Sequence, residues 1–365
     1  MRVLVLSCNT GEGHNSAAKA VCEEFDKLNI DYEMHNALLF VSKATDKTVS
    51  SGHTFIYKNL PKLFGVGYRF EENHPPEFIQ NVLKLGVNKL YKFLENNHFD
   101  CVVTSHVFGA ILVNETKKAF NIKMPIYFIA TDYTCCPGSF ECNADTYFIP
   151  HKKLVDEFVG CGVDKSRLIA SGIPVRSQFF ENREKSEAKK KLGLPEDKSV
   201  ILLGSGSMGA GPIEKLSVKL ADRLSQSHII VVACGRNEKL LNSILKSEMP
   251  NLMPIGYTKK IDVYLDACDI YLTKAGGLST TEAIIKKTPL IYINAVPGCE
   301  TRNIDFMTQN GYAKAAFTID EAVNAVLLTL DTLSDAKEKM AECKEGLASN
   351  PAKFIASFVK DNTEN

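Results

Sequence analysis

Thr273-Lys-Ala-Gly-Gly-Leu-Ser-Thr-Thr-Glu-Ala-Ile284, followed by Pro289-Leu-Ile-Tyr-Ile-Asn294 and Pro297-Gly-Cys-Glu-Thr-Arg-Asn303, is the stretch whose reading decides the fold. The apolar run Ile270 to Leu272 predicts a buried strand ending at the pair Gly276-Gly277. Ser279 and Thr280 are natural caps, which predicts a helix through Lys287 with Glu282 in its first turn. A glycine pair lets backbone come close to a ligand, and the unpaired N–H groups of a helix start attract phosphate. A carboxylate one turn in, here Glu282, can accept hydrogen bonds from sugar hydroxyls. Strand, glycine pair and helix also describe a plain tight turn; the second apolar strand and the polar pair Glu300/Asn303 make the reading specific.

The same grammar recurs outward from this stretch. Val3-Leu-Val-Leu-Ser7 reads as a buried parallel strand running into Gly11-Glu-Gly-His-Asn-Ser16 and a helix with Ala17, Ala20, Val21, Phe25 and Leu28 on one face. Cys101 to Thr104 ends at Ser105-His106, and Ile126 to Ala130 ends at Thr131-Asp132. Val200-Ile-Leu-Leu opens onto Gly204-Ser-Gly-Ser-Met-Gly209, Ile229 to Ala233 ends near Gly235, and Met253-Pro-Ile leads into Gly256-Tyr-Thr258. Strands alternating with helical stretches predict an α/β chain of doubly wound sheets, whose ligands gather at the carboxyl ends of the strands. His14, beside a glycine turn and a strand end, is the first candidate for chemistry, since neutral imidazole takes a proton from an alcohol near neutral pH. His106 and Asp132 are second; Asp132 could orient His14 or be the base itself. Gly11-x-Gly13-x-x-Ser16 is an incomplete dinucleotide fingerprint, and the acids Asp31 and Glu33 lie inside the next strand rather than at its end. A single amphipathic helix is expected around Phe78 to Leu94, and two or three helices from Ile319 onward, the last starting at Pro351.

Composition narrows the classes. A chain of 365 residues predicts two domains. Lys+Arg and Asp+Glu both number 43, so no global field recruits nucleic acid or anionic lipid, and any such binding is local. Eleven cysteines, an odd number without paired CxxC spacing, suit reduced thiols in a cytosol, and Cys135-Cys136 with Cys142 matches no common zinc site. Arg2-Val-Leu-Val-Leu is too short for a signal-peptide core, and no stretch approaches a membrane span, which predicts a soluble or peripheral protein. From Phe55 to Phe70, aromatic and aliphatic residues including Phe55, Tyr57 and Phe64 alternate with Lys58, Lys62 and Arg69, while Pro61, Gly65 and Gly67 oppose one long helix. Such text suits either a packed loop or an interfacial surface that meets an anionic membrane.

Three motifs carry a resemblance: Gly11-x-Gly13-His14-x-x-Ala17-Ala18, Gly172-Ile-Pro-x-Arg176, and the run from Thr273 to Asn303. Together they resemble the monogalactosyldiacylglycerol synthase and processive diacylglycerol glucosyltransferase family of GT-B glycosyltransferases, over nearly the whole chain. The resemblance implies two Rossmann-like domains facing across a cleft: residues 1–175 on the acceptor side, joined by a helix at 351–365 that packs back on them; a charged linker at 176–197; and a nucleotide-sugar domain at 198–350. It implies that Glu282 holds the ribose, that Gly276, Gly277, Leu278 and Ser279 lie at the diphosphate with Gly206, Ser207 and Met208, and that Gly256, Tyr257 and Thr258 meet the uracil. Glu300 and Asn303 would contact the hexose, and His14, flanked by Gly13 and His106, would sit nearest the reacting hydroxyl. The implied reaction is inverting transfer from a UDP-hexose to a lipid hydroxyl, diacylglycerol in the first place, on the inner face of the cell membrane. No cofactor is implied, and the chain contains no D-x-D motif of the kind that carries a metal in many sugar transferases. Tyr133-Thr-Cys-Cys-Pro-Gly138 departs from the family's usual aromatic and histidine-containing text, and bears on the acceptor more than the donor. A polyprenyl-linked or soluble acceptor, a UDP-sugar epimerase and a non-catalytic binding module remain open from the residues.

Overall fold

The computed structural model describes residues 1–49, 77–204, 213–224 and 226–363. It divides into two units, Met1–Ser177 with Val296–Cys299 and Gly346–Asn365, and Gln178–Ala295 with Glu300–Glu345. The Phe55–Phe70 segment and the turn bearing Gly206, Ser207 and Met208 lie outside the described residues.

In the first unit β1 (Arg2–Ser7), β2 (Asp31–Asn36), β3 (Cys101–Thr104), β4 (Ile126–Ile129), β5 (Thr146–Ile149) and β6 (Leu168–Ala170) form a parallel sheet in the order β2-β1-β3-β4-β5-β6. Helices on the faces bury β1 completely from Val3 to Leu6, which is why its sequence is a continuous apolar run rather than an alternating one. Strand order reverses between β1 and β3, so the loops after these two strands diverge and leave a crevice at their carboxyl ends. Helix Pro351–Thr363 closes one side. Its Ile355, Ala356 and Val359 join Val21 and Phe25 of helix Glu12–Lys27 in a single buried cluster, and Phe358 stands edge-on to Phe148 at 5.5 Å.

The amphipathic text expected as one helix is two, Glu77–Lys84 and Val87–Asn97. They part at Gly86, where an added Cβ would come within 3.1 Å of the Val41 backbone nitrogen and 3.2 Å of the Phe40 carbonyl carbon. Here the chain packs closely against the short helix Leu38–Val41, where a larger residue would push the neighbouring backbone back by a few tenths of an ångström.

The second unit repeats the plan with β7 (Ser199–Gly204), β8 (His228–Ala233), β9 (Leu252–Ile255), β10 (Ile270–Lys274), β11 (Leu290–Asn294) and β12 (Ala313–Ala315), parallel in the order β12-β11-β10-β7-β8-β9. Its reversal falls between β7 and β10, so the run after Thr273 opens at the switch point. Pro254 is accommodated because β9 is an edge strand. The stretch after Gln178, read as a linker, packs in this unit. Arg183 reaches Asp262 at 2.9 Å and Asp266 at 3.0 Å, and Lys286 reaches Asp266 at 2.7 Å, with the side chains of all four nearly buried.

Candidate functional site

The first cluster is assembled at the carboxyl ends of β1, β3 and β4. Helix Glu12–Lys27 begins after Gly11 without a side-chain cap, and His14 lies in its first turn. His14 Nδ1 is 2.8 Å from the Ser105 carbonyl oxygen and 2.9 Å from Thr131 Oγ1. A carbonyl can only accept, so Nδ1 carries the proton and the basic lone pair of the neutral ring sits on Nε2. Ser105 Oγ secures the arrangement from behind, donating to the His14 carbonyl at 2.9 Å and lying 3.2 Å from Ser7 Oγ.

His106 holds the opposite tautomer. Its Nδ1 accepts the Phe108 backbone N–H at 3.1 Å as the cap of helix Val107–Phe120, so Nε2 bears the proton and points to Thr10 Oγ1 at 3.0 Å. The two rings meet edge-on, with centroids 4.5 Å apart. His106 is buried and its lone pair is spent on a helix cap, which suits a structural neighbour of His14 rather than a second base. Asp132, half-buried, has a carboxylate oxygen within 4.8 Å of the sulfurs of Cys136 and Cys299. Gly13 is half-buried in the same helical turn as His14.

The second cluster lies at the end of β10. The helix there runs Gly277–Lys286 with Gly276 as its cap, three residues earlier than the hydroxyls of Ser279 and Thr280 suggest. Gly276 adopts φ −77°, ψ 138°, and those hydroxyls fall inside the helix, where Thr280 Oγ1 instead meets the Tyr292 hydroxyl at 2.8 Å. Glu282 therefore stands in the second turn rather than the first. It is half-buried, and its charge, after burial itself, helps to push the Tyr271 phenol up to about 12. Tyr271 thus stays neutral beside it. Leu278 and Ser279 are half-buried in the first turn.

A Cβ added at Gly276 would find only Lys274 Cε at 3.8 Å and Nζ at 3.9 Å, so neither dihedrals nor packing demand glycine here. Lys274 reaches Glu300 at 2.6 Å, and Asn303, fully buried, donates its amide to the Ala275 carbonyl at 2.8 Å. Glu300 and Asn303 thus frame the turn that presents the helix start. Lys274 was not singled out in the sequence, although a lysine at a strand end two residues before a glycine pair is a readable signal for anion binding. At the end of β9, Gly256 has open space where a Cβ would stand, and Thr258 Oγ1 accepts the Lys260 N–H at 3.0 Å. Tyr257 is 56% exposed, with the Arg236 guanidinium 5.2 Å from its ring centre.

Two family models match the chain, one in each half. Residues 14–175 match the family described as monogalactosyldiacylglycerol (MGDG) synthase, and residues 200–361 match the glycosyltransferase family 28 C-terminal domain. Among similar proteins are the processive diacylglycerol beta-glucosyltransferases of Staphylococcus saprophyticus, 24% identical over 95% of this chain and 88% of that one, and of Staphylococcus carnosus, 26% identical over 94% and 89%. MurG from Acinetobacter baumannii has the same fold at a TM-score of 0.66, covering 99% of both chains at 14% identity. So do the calicheamicin glycosyltransferase CalG4, at 0.65 over 100% and 98% with 12% identity, and the Neisseria meningitidis UDP-GlcNAc 2-epimerase, at 0.62 over 99% and 100% with 12% identity. With a monogalactosyldiacylglycerol synthase family domain followed by a glycosyltransferase family 28 C-terminal domain, and relatives aligned over nearly their full length, the chain is a glycosyltransferase of GT-B fold.

Proposed function

We propose that this enzyme moves a hexose from a UDP-sugar to the hydroxyl of diacylglycerol, inverting the anomeric carbon, at the inner face of the cell membrane. The observation that carries the proposal is the tautomer of His14: the Ser105 carbonyl fixes the proton on Nδ1 and puts the base on Nε2. In this mechanism Nε2 accepts the proton of the acceptor hydroxyl as its oxygen attacks the anomeric carbon, and the bond to UDP breaks. The imidazolium that forms is stabilised by the two oxygens around Nδ1. The diphosphate gathers negative charge as it leaves, and the N–H groups at the start of helix Gly277–Lys286 suit that charge, with no metal or cofactor called for. Glu282 would accept from the ribose hydroxyls, and Glu300 with Asn303 would border the hexose.

The lipid acceptor rests on the names of the relatives, and the peripheral location follows from the acceptor. No helix of the described residues is long and apolar enough to cross a membrane. The test is incubation with UDP-glucose, UDP-galactose and UDP-N-acetylglucosamine, with and without diacylglycerol in phosphatidylglycerol vesicles, followed by analysis of lipid and nucleotide products. Glycosyl-diacylglycerol and stoichiometric UDP are expected. A UDP-sugar changed in configuration without any acceptor would replace this reading with epimerase chemistry, and a protein that ignores the vesicles would replace the lipid with a soluble acceptor.

A further inference from the structure

The text that departs from the family, Tyr133-Thr-Cys-Cys-Pro-Gly138, brings together thiols that the transfer reaction does not use. Cys136 Sγ lies 2.8 Å from Cys299 Sγ, both within the first unit, although 163 residues separate them in the chain. Two unbonded sulfurs rest about 3.6 Å apart, and two thiolates on one tetrahedral zinc are held farther apart still, since each Zn–S bond is about 2.3 Å. The observed separation is shorter than either, so the two free thiols lie within reach of each other. Next to Cys136 in sequence, Cys135 hydrogen-bonds with the exposed Cys161, an interaction that together with burial pushes the Cys135 thiol up. Cys136 and Cys299 are themselves half-buried, so a small oxidant in solvent can reach the pair.

We propose that Cys136 and Cys299 form a reversible disulfide that switches the enzyme off under oxidising conditions. The oxidant is a low-molecular-weight disulfide, R–S–S–R. A cysteine thiolate attacks one of its sulfurs and expels RS⁻; the second cysteine thiolate then attacks the mixed disulfide and expels the other. The two protein thiols lose two protons and two electrons, and two RSH are released. Cysteine pairs of this kind in a reducing compartment are regulatory rather than structural. The bond would pin the segment carrying Asp132, a candidate for the base, to Pro297-Gly-Cys299 within the first unit and hold that segment in one position.

The experiment titrates the reduced, full-length protein with oxidised glutathione and reads three quantities: free thiols, disulfide-linked peptides by mass spectrometry, and hexose transfer. Expected are a peptide containing Cys136 linked to one containing Cys299, a loss of transfer in step with it, and full recovery on reduction. Cys299→Ser should keep the basal rate and melting temperature and lose sensitivity to the oxidant, and Cys135→Ser should still form the link. Wild-type protein that yields no Cys136–Cys299 peptide overturns the proposal, as does a link that forms without loss of transfer. Zinc retained stoichiometrically by the reduced protein, with oxidation possible only after chelation, would make Asp132, Cys136 and Cys299 a metal site and overturn it equally. UDP-sugar hydrolysis or calorimetric UDP binding can replace transfer as the readout, so failure of the acceptor assignment and failure of the switch are told apart.

Discussion

Replacing Gly276 by alanine separates the demands of the fold from those of the ligand. At φ −77°, ψ 138° alanine is unstrained, and its Cβ would meet only Lys274 Cε and Nζ at 3.8 and 3.9 Å. Restricting the unfolded chain should stabilise the protein by ~0.4–1 kcal/mol. Against this, alanine is a poorer helix cap than glycine by about 0.5–1 kcal/mol. The two offset each other, so the urea midpoint should move by no more than about 0.5 kcal/mol equivalent. If the space above Gly276 is where a diphosphate approaches the helix start, the same methyl group overpacks the complex by ~1–3 kcal/mol. That is a roughly 5- to 150-fold weaker dissociation constant for UDP, measured by calorimetry. Unchanged UDP affinity with unchanged stability would refute the argument that the ligand requires this glycine. A large loss of stability would refute the packing on which it rests.

Glu282→Ala removes charge-assisted hydrogen bonds worth ~1.5–3 kcal/mol and should weaken UDP at least about tenfold by calorimetry; an unaltered constant would remove this stretch from the donor site. His14→Ala should lower turnover by ~10²–10⁴ while UDP binding stays nearly intact; collapse of both would make His14 a support of its turn instead. Arg183→Met strands the nearly buried Asp262 and Asp266 beside a single remaining cation, Lys286, among the ion pairs described here, and should cost about 3–5 kcal/mol in a denaturant titration.

Much of this was legible in the sequence because it is local. Continuous apolar runs gave the buried strands, and polar residues at their ends marked the side on which the two clusters of candidate residues lie. What stayed hidden depends on distance along the chain. The partners that set the His14 tautomer lie 91 and 117 residues away, at the ends of two other strands. Gly86, where the two helices part, packs against Phe40 and Val41, more than a helix away in sequence. Ser279 and Thr280 mislead as caps because the helix already starts after Gly276, so their hydroxyls fall inside it. The strand Ala313–Ala315 is three residues long and carries no apolar run to announce it.

Helix Pro351–Thr363 has a consequence for the order in which the molecule can be made. Ile355, Ala356 and Val359 complete the core shared by Val3, Val21, Phe25 and Val103, yet they leave the ribosome after the whole of Gln178–Glu345. Domains ordinarily fold in turn as they emerge. Here the amino-terminal sheet must wait with one flank uncovered while the unit encoded in its middle is synthesised and can fold, so chaperone capture during translation falls on the earlier unit rather than the later one.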